Sequence, residues 1–157
     1  MKTIKIAFYK HSKSFFWKLI CWKQDYMPWR YARYSHAEIV FEDWQSFSSS
    51  EQDWWVRFKK IEFKKDNWDF IEIKISEIKY NKILDFCKKQ DWNEYNWLWI
   101  FFAQILNFNK KGNWDWFCSE IVTRALQEWN ILCTESALFV SPWKLAILLE
   151  NNWFCIL

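Results

Sequence analysis

Alternating apolar and polar residues mark several short segments in the first half of the chain, and this pattern favours an antiparallel sheet. The alternation is found in residues 3–9, 36–41, 56–63 and 70–75. A period of two places the apolar side chains on one face of a strand, so each segment is predicted to be a strand. Residues 46–50 follow a turn at 42–45 and are predicted to pair with 36–41 as a hairpin. The last two strands are predicted to be joined across Asp66–Trp68.

Helical patterns occupy much of the remaining sequence. Helices are predicted over residues 14–22, 76–89, 118–128 and 143–150, and an apolar helix is predicted to follow Tyr95–Ile100 and to end at about Leu106. Ser76 is a predicted N-cap residue, and Ser141 with Pro142 forms a predicted N-cap and N1 pair before the last helix. A chain of 157 residues suits one domain with a sizeable core, and we expect residues 1–157 to form a single domain.

The scarcity of glycine is unusual. The chain has 15 Trp and 1 Gly, whereas average usage gives roughly eleven glycines in this length. Trp44 and Trp68 stand where the Gly of an Asp-Gly or Asn-Gly hairpin turn would stand, and Trp129 stands at the usual C′ glycine position after a helix. We hypothesise that many of these tryptophans are UGA codons that the native host reads as glycine. The alternative is a genuinely tryptophan-rich protein, and the codons at positions such as 44, 54, 68 and 129 distinguish the two.

A cysteine lies at the predicted start of the helix that follows residue 117. The segment Trp116–Val122 (WFCSEIV) opens an amphipathic pattern. Its apolar face is predicted to consist of Ile121, Val122, Ala125 and Leu126, and its polar face of Ser119, Glu120, Thr123, Arg124, Gln127 and Glu128. Free backbone N–H groups and the helix dipole stabilise a thiolate in the first turn. Cys118 is therefore a candidate nucleophile, although a free cysteine is more often a small buried apolar residue.

A histidine on the predicted hairpin supplies the second half of a catalytic pair. His36 lies in Tyr34–Phe41 (YSHAEIVF) and can act as the base that activates a thiol and protonates a leaving group. A third polar group must fix the imidazole tautomer. Glu38, on the same strand face as His36, is the favoured candidate; Ser49 or Glu51 could instead face His36 across the hairpin. The N–H of Cys118 and a neighbouring donor at the helix start are the predicted oxyanion ligands.

The remaining titratable residues are predicted to have structural roles. His11 stands in a polar run and is expected at the surface. Cys21, Cys87, Cys133 and Cys155 have apolar neighbours and are expected in the core. Five cysteines without a Cys-x-x-Cys pair, and with only two histidines, indicate neither a disulfide framework nor a structural zinc site. Arg57, Lys59 and Lys60 are expected to form a solvated strand face.

Composition argues against several functional classes. A net charge of +3 with both signs interspersed does not indicate nucleic-acid binding. The longest nearly apolar run, 97–103, is far shorter than a membrane span, and the first residues lack the pattern of a secretory signal. We expect a soluble cytoplasmic protein without a cofactor or metal.

The two segments resemble a known family. Tyr34–Phe41 followed much later by Trp116–Val122 is similar to the circularly permuted papain-like cysteine hydrolases of the NlpC-related superfamily, the YiiX-like enzymes, in a compact form common among phage-encoded proteins. The similarity extends from about Phe8 to Leu149. It includes Asp53–Arg57 and Tyr95–Ile100, where tryptophans replace family glycines, and Ser141-Pro142.

The resemblance implies an α+β papain-like fold with an antiparallel sheet packed on helices. It implies Cys118 as nucleophile and His36 as base in the cleavage of amide or ester bonds, with a peptide, peptidoglycan or acyl-lipid substrate. The replaced glycines put activity in doubt, because Trp97 and Trp99 could crowd the cleft. The alternative is a non-catalytic virion or host-interaction protein that retains the fold. Neither the substrate nor the oligomeric state follows from the sequence.

Overall fold

The protein is described by a computed structural model over residues 1–10, 33–50, 53, 55–91, 118–132, 137 and 140–151. These residues form an α+β structure, which confirms the predicted class. Its elements in chain order are β1 (Lys2–Tyr9), β2 (His36–Val40), β3 (Gln45–Ser50), β4 (Trp55–Lys60), β5 (Trp68–Ile75), α1 (Glu77–Gln90), α2 (Cys118–Glu128) and α3 (Pro142–Glu150). The predicted helices at 14–22 and ending at about Leu106 lie outside the described residues.

The five strands form one antiparallel sheet in the order β4-β3-β2-β1-β5. The hairpin of β2 and β3 is confirmed. The predicted hairpin across Asp66–Trp68 is wrong, because β4 and β5 lie at opposite edges of the sheet. Strand β5 pairs instead with β1, where Ile6 is opposite Ile71 on one side and Ile39 on the other. This pairing aligns the apolar rows of three strands on one face of the sheet.

One face of the sheet carries the apolar core. Alternation along β1 places Ile4, Ile6 and Phe8 there, fully buried. Residues Ala37, Ile39 and Phe41 belong to the same core, as their alternation predicts. The core is completed by apolar residues of the three helices, which include Ile83, Ile121, Val122, Ala125, Leu126, Leu145 and Leu149. The helices therefore stabilise the sheet by burying this face.

Two of the helices begin as predicted. The hydroxyl of Ser76 accepts a hydrogen bond from the N–H of Lys79 at the start of α1 (3.3 Å). The hydroxyl of Ser141 accepts one from the N–H of Lys144 (3.0 Å), and Pro142 occupies the first turn of α3. These bonds satisfy backbone donors that have no partner within the helix. None of the helices among the described residues is long and apolar enough to cross a membrane.

The turn between β2 and β3 requires a left-handed residue. The N–H of Trp44 donates to the carbonyl of Phe41 (3.0 Å), and the N–H of Phe41 donates to the carbonyl of Gln45 (2.9 Å). Trp44 has a φ of 62° and is 54% exposed. This is a three-residue loop whose last position is usually Gly, rather than the two-residue turn that Asp43-Trp44 suggested. The predicted preference for glycine at residue 44 nevertheless agrees with its backbone conformation.

The end of α2 also uses a left-handed residue, but not the predicted one. Asn130, with a φ of 50°, occupies the C′ position, and Trp129 precedes it. The N–H of Asn130 donates to the carbonyl of Gln127 (3.0 Å), and the N–H of Ile131 donates to the carbonyl of Leu126 (2.9 Å). This is a Schellman motif, in which asparagine is the usual substitute for glycine.

Trp68 does not have a positive φ either, since it begins β5. Among the described tryptophans, only Trp44 therefore has a backbone conformation that favours glycine.

Candidate active site

Cys118 is the first described residue of α2, and α2 packs against β2 and β3. Its side chain is buried, with 7% of the residue exposed. The sulfur accepts hydrogen bonds from the backbone N–H groups of Ala37 and Ser119. Both donors favour the thiolate over the thiol, as does the start of a helix. The predicted placement of Cys118 in the first turn of a helix is confirmed.

The contact between Cys118 and Ala37 depends on where the β2–β3 ladder stops. The pairing of the two strands includes Ile39 with Phe47. Continued by two residues, it would place Ala37 opposite Ser49. Instead, the carbonyl of Ala37 accepts a hydrogen bond from the hydroxyl of Ser48 (2.7 Å), and its N–H donates to the sulfur. A local opening of the ladder therefore provides a backbone donor for the thiolate.

The Cys118 thiol and the His36 imidazole form a hydrogen-bonded, charged pair. Burial alone would raise the pKa of Cys118, but the charge and the hydrogen bond of His36 lower the pKa below its ordinary value. Burial alone would lower the pKa of His36, but Cys118 and Glu38 raise it to about 10. Each ionised group therefore stabilises the other, which lowers the pKa of Cys118 and raises the pKa of His36.

The Glu38 carboxylate contacts the imidazole on its other side. Its Oε1 lies 3.0 Å from Nε2 of His36, which leaves Nδ1 as the ring nitrogen available to Cys118. Burial favours the neutral acid, but the bond to His36 and the charges of His36 and Arg57 lower the pKa of Glu38. Of the three residues proposed to orient His36, Glu38 is thus the one shown bonded to it. Ser49 is buried in β3, and Glu51 lies outside the described residues.

A basic residue that the sequence placed on a solvated face extends this site. Arg57 is only 9% exposed, and its Nη2 donates to Oε1 of Glu38 (3.1 Å). Its Nε donates to Oδ2 of Asp53 (2.7 Å), and Asp53 also accepts from Nζ of Lys59 (2.7 Å). The prediction of a solvated face is therefore wrong for Arg57, although Lys59 and Lys60 are exposed. A buried carboxylate two strands away is the partner that keeps Arg57 from solvent.

The predicted polar face of α2 is also more buried than expected. Ser119, Glu120 and Thr123 are 3%, 1% and 0% exposed, whereas Arg124 and Glu128 are exposed. The helical period separates apolar from polar residues correctly, but in the first turns of α2 the polar residues are buried as well as the apolar ones. Thr123 satisfies its buried hydroxyl by donating to the carbonyl of Ser119 (2.6 Å). Cys118, at the start of this helix, is likewise only 7% exposed.

Cys87 gives a direct contrast with Cys118. It lies in α1, fully buried in the apolar core as predicted, and burial raises its pKa well above the ordinary value. Burial without a cationic partner therefore raises the pKa of Cys87, whereas the imidazolium beside Cys118 lowers the pKa of that thiol. The predictions for His11, Cys21, Cys133 and Cys155 concern residues outside the described part of the chain.

An aromatic residue lies beside the imidazole. The ring of Trp68 is 6.4 Å from that of His36 in an edge orientation, and it also contacts Tyr9 and Phe63 at 5.1 and 5.0 Å. These rings pack near the His36 end of the sheet. Of the three central side chains, His36 keeps the largest exposed fraction, 22%, so the site opens toward solvent on its imidazole side.

A thiolate, an imidazolium and a buried carboxylate in contact can carry out nucleophilic acyl transfer. Within the described residues, no cluster of three or more His, Cys, Asp or Glu side chains is arranged to hold a metal ion. No protein-family model, curated protein or solved structure matches the chain.

Proposed function

We propose that this protein is a cysteine hydrolase or acyltransferase that acts on amide or ester bonds. One observation carries the proposal: the Cys118 thiol contacts the His36 imidazole, and the charges of the two groups favour the ion pair. Glu38, bonded to Nε2 of His36 at 3.0 Å, completes the arrangement. A nucleophile, a base and a group that orients the base are the three parts that acyl transfer through a cysteine requires.

The proposed reaction has two steps. In the first, Sγ of Cys118 attacks the substrate carbonyl carbon, and N–H groups at the start of α2 stabilise the oxyanion. His36 gives its proton to the leaving amine or alcohol, the bond to that group breaks, and a thioester remains. In the second step, neutral His36 takes a proton from water, which attacks the thioester carbon and releases the acid. The thiolate and the imidazolium are then restored.

We further propose that the chain has the permuted papain-like fold. The histidine strand precedes the cysteine helix in the chain, and the helix packs on that strand and its neighbour. The antiparallel sheet with helices against one face is compatible with this arrangement. A peptide, a peptidoglycan fragment or an acyl lipid is the proposed substrate class.

The decisive experiment is labelling with an iodoacetamide-alkyne probe, followed by mass spectrometry of the labelled peptides. We expect labelling at Cys118 at about pH 7, because a thiolate reacts and a thiol does not. The His36→Ala variant should lose most of that labelling. Cys87 is the internal control and should stay unlabelled in the folded protein, since its pKa is raised by burial.

Two outcomes would favour the alternative, a non-catalytic protein that retains the fold. In one, Cys118 is labelled equally in the wild type and in His36→Ala; in the other, Cys118 is no more reactive than Cys87. If labelling depends on His36, turnover of peptidoglycan fragments and acyl esters by the purified protein should be compared next. Cys118→Ser is the matched inactive variant for that comparison.

A further inference from the structure

We propose that Arg57 is a positioning residue that keeps Glu38 ionised during hydrolysis of the acyl-enzyme. This inference rests on the proposed hydrolase function and extends the site by one residue. It starts from a shared oxygen: Oε1 of Glu38 accepts hydrogen bonds from Nε2 of His36 (3.0 Å) and from Nη2 of Arg57 (3.1 Å). Glu38 is 1% exposed and Arg57 is 9% exposed, so water does little to stabilise either charge.

The geometry of the sheet makes this contact possible. Strand β3 lies between β2, which carries Glu38, and β4, which carries Arg57. Neighbouring strands are about 4.8 Å apart, so the two side chains must reach across roughly 10 Å. The residue of β3 paired with Arg57 is Ser48, which is fully buried. A small side chain at this position leaves room for the guanidinium and the carboxylate to meet.

Arg57 balances the charges of the resting site. The Cys118 thiolate and the Glu38 carboxylate are two anions in contact with one imidazolium. Arg57 supplies the other positive charge. Beyond Arg57 the charges continue to alternate in sign, because Asp53 is bonded to Arg57 and to Lys59 at 2.7 Å each. These are the charged groups recorded around Glu38 and its partners among the described residues.

The role of Arg57 becomes specific after acylation. The thioester removes the charge of Cys118, and His36 has given its proton to the leaving group. Neutral His36 still donates a hydrogen bond to Glu38 but no longer carries a positive charge, and Arg57 is then the cation bonded to that carboxylate. An ionised Glu38 accepts the Nε2–H of His36, which leaves the Nδ1 lone pair free to take a proton from water. Without Arg57, Glu38 would tend to take up a proton, and the base would lose its orientation in this second step.

The test uses p-nitrophenyl acetate, because its two steps are measured separately. The thiolate attacks the ester carbonyl, the bond to the aryl oxygen breaks and p-nitrophenolate leaves as a burst without taking a proton. His36, no longer paired with a thiolate, then releases its proton to water. Water then hydrolyses the acetyl-thioester and acetate is released. In Arg57→Met we expect the burst rate to stay within about twofold of the wild type. The slower second step should fall about tenfold, the factor that corresponds to one pKa unit, and acetylated protein should accumulate in mass spectra.

Conservative and matched variants separate a positioning role from a structural one. Arg57→Lys keeps the charge and should restore most of the second step. Arg33→Met removes an arginine that bonds Asp69 at an exposed site (3.1 Å) and should leave both steps unchanged. In a Glu38→Gln background, Arg57→Met should cause no further slowing, because Arg57 acts through Glu38. If Arg57→Met fails to fold, Asp53→Asn is the second variant. It keeps Arg57, removes the charge of Asp53 and should slow the same step to a smaller degree.

The outcomes distinguish this inference from the function it rests on. A wild type that releases p-nitrophenolate no faster than Cys118→Ser would overturn both the hydrolase and the role of Arg57. A wild-type burst with an unchanged second step in Arg57→Met would overturn only the role of Arg57. An equal fall of both steps in Arg57→Met, or additive slowing in the double variant, would also contradict it, because either result indicates a general structural effect.

Discussion

Oε1 of Glu38 lies 3.0 Å from Nε2 of His36, two residues away on the same strand. A carboxylate at this position fixes which ring nitrogen carries the proton, so that the other nitrogen faces the sulfur. Glu38→Gln keeps the shape and removes the charge. We expect it to lower turnover of an acyl ester by about 10²- to 10⁴-fold, by analogy with the loss of the orienting carboxylate from a catalytic triad.

Glu42→Gln is the matched control for this substitution. Glu42 bonds Lys2 at 2.7 Å, and 40% of its side chain is exposed. Removing its charge should therefore leave turnover unchanged. Equal activity in Glu38→Gln and the wild type would contradict the orienting role of Glu38.

The pKa values of Cys118 and His36 predict the pH dependence of acylation. Thiolate forms as the pH rises through the lowered pKa of Cys118, and imidazolium is lost as the pH rises through about 10. With an amide or alkyl ester, whose leaving group must take the proton of His36, the acylation rate should therefore rise, reach a plateau and fall near pH 10. Alkylation by iodoacetamide needs only the thiolate. Its rate should therefore show the same rise at low pH, the acidic limb of the profile, and no fall at high pH. Stopped-flow burst rates and alkylation rates measured across this range check both limbs.

The His36→Ala variant tests the cause of the acidic limb. Without the imidazolium, burial raises the pKa of Cys118. Alkylation at about pH 7 should fall by about tenfold for each unit of that rise. An acidic limb at the same pH in the wild type and in His36→Ala would show that the backbone donors alone activate the thiol.

Ser48 is expected to be intolerant of larger side chains, because it lies on the strand between Glu38 and Arg57. Ser48→Val adds bulk at a fully buried position and also removes the bond to the carbonyl of Ala37 (2.7 Å). Overpacking and a lost buried hydrogen bond each cost about 1–3 kcal/mol. Ser48→Ala loses only the bond. Thermal unfolding should rank the wild type above Ser48→Ala and Ser48→Ala above Ser48→Val.

The catalytic assay separates the two effects of these variants. The valine variant should also slow the second step with p-nitrophenyl acetate, because it separates Glu38 from Arg57, whereas the alanine variant should not. A valine variant as stable and as active as the wild type would contradict the packing argument.

The sequence predicted which strand or helix carries each residue of this site better than it predicted which strands are neighbours in the sheet. A period of two along β2 placed Glu38 beside His36, and a helical period placed Cys118 at the start of α2, because both patterns are local. Arg57 was missed because its partner lies two strands away, and alternation alone does not show that a strand face is covered. The partner of β5 was missed for the same reason, since strand order depends on apolar rows that meet only in the folded sheet.

Trp44 tests the hypothesis that some tryptophans stand for glycine. Its φ of 62° lies in the left-handed region, which costs a residue with a Cβ roughly 1–2 kcal/mol relative to glycine. Trp44 is 54% exposed, and its ring contact among the described residues is with the ammonium of Lys5 (4.9 Å), so little packing within that part of the chain opposes this cost. We expect Trp44→Gly to raise the free energy of unfolding by about 1 kcal/mol.

Trp68→Gly should lower the free energy of unfolding, since Trp68 lies in β5 without a positive φ and packs on Tyr9 and Phe63. Urea denaturation of both variants measures the two signs, and a destabilised Trp44→Gly would show that this tryptophan suits its turn.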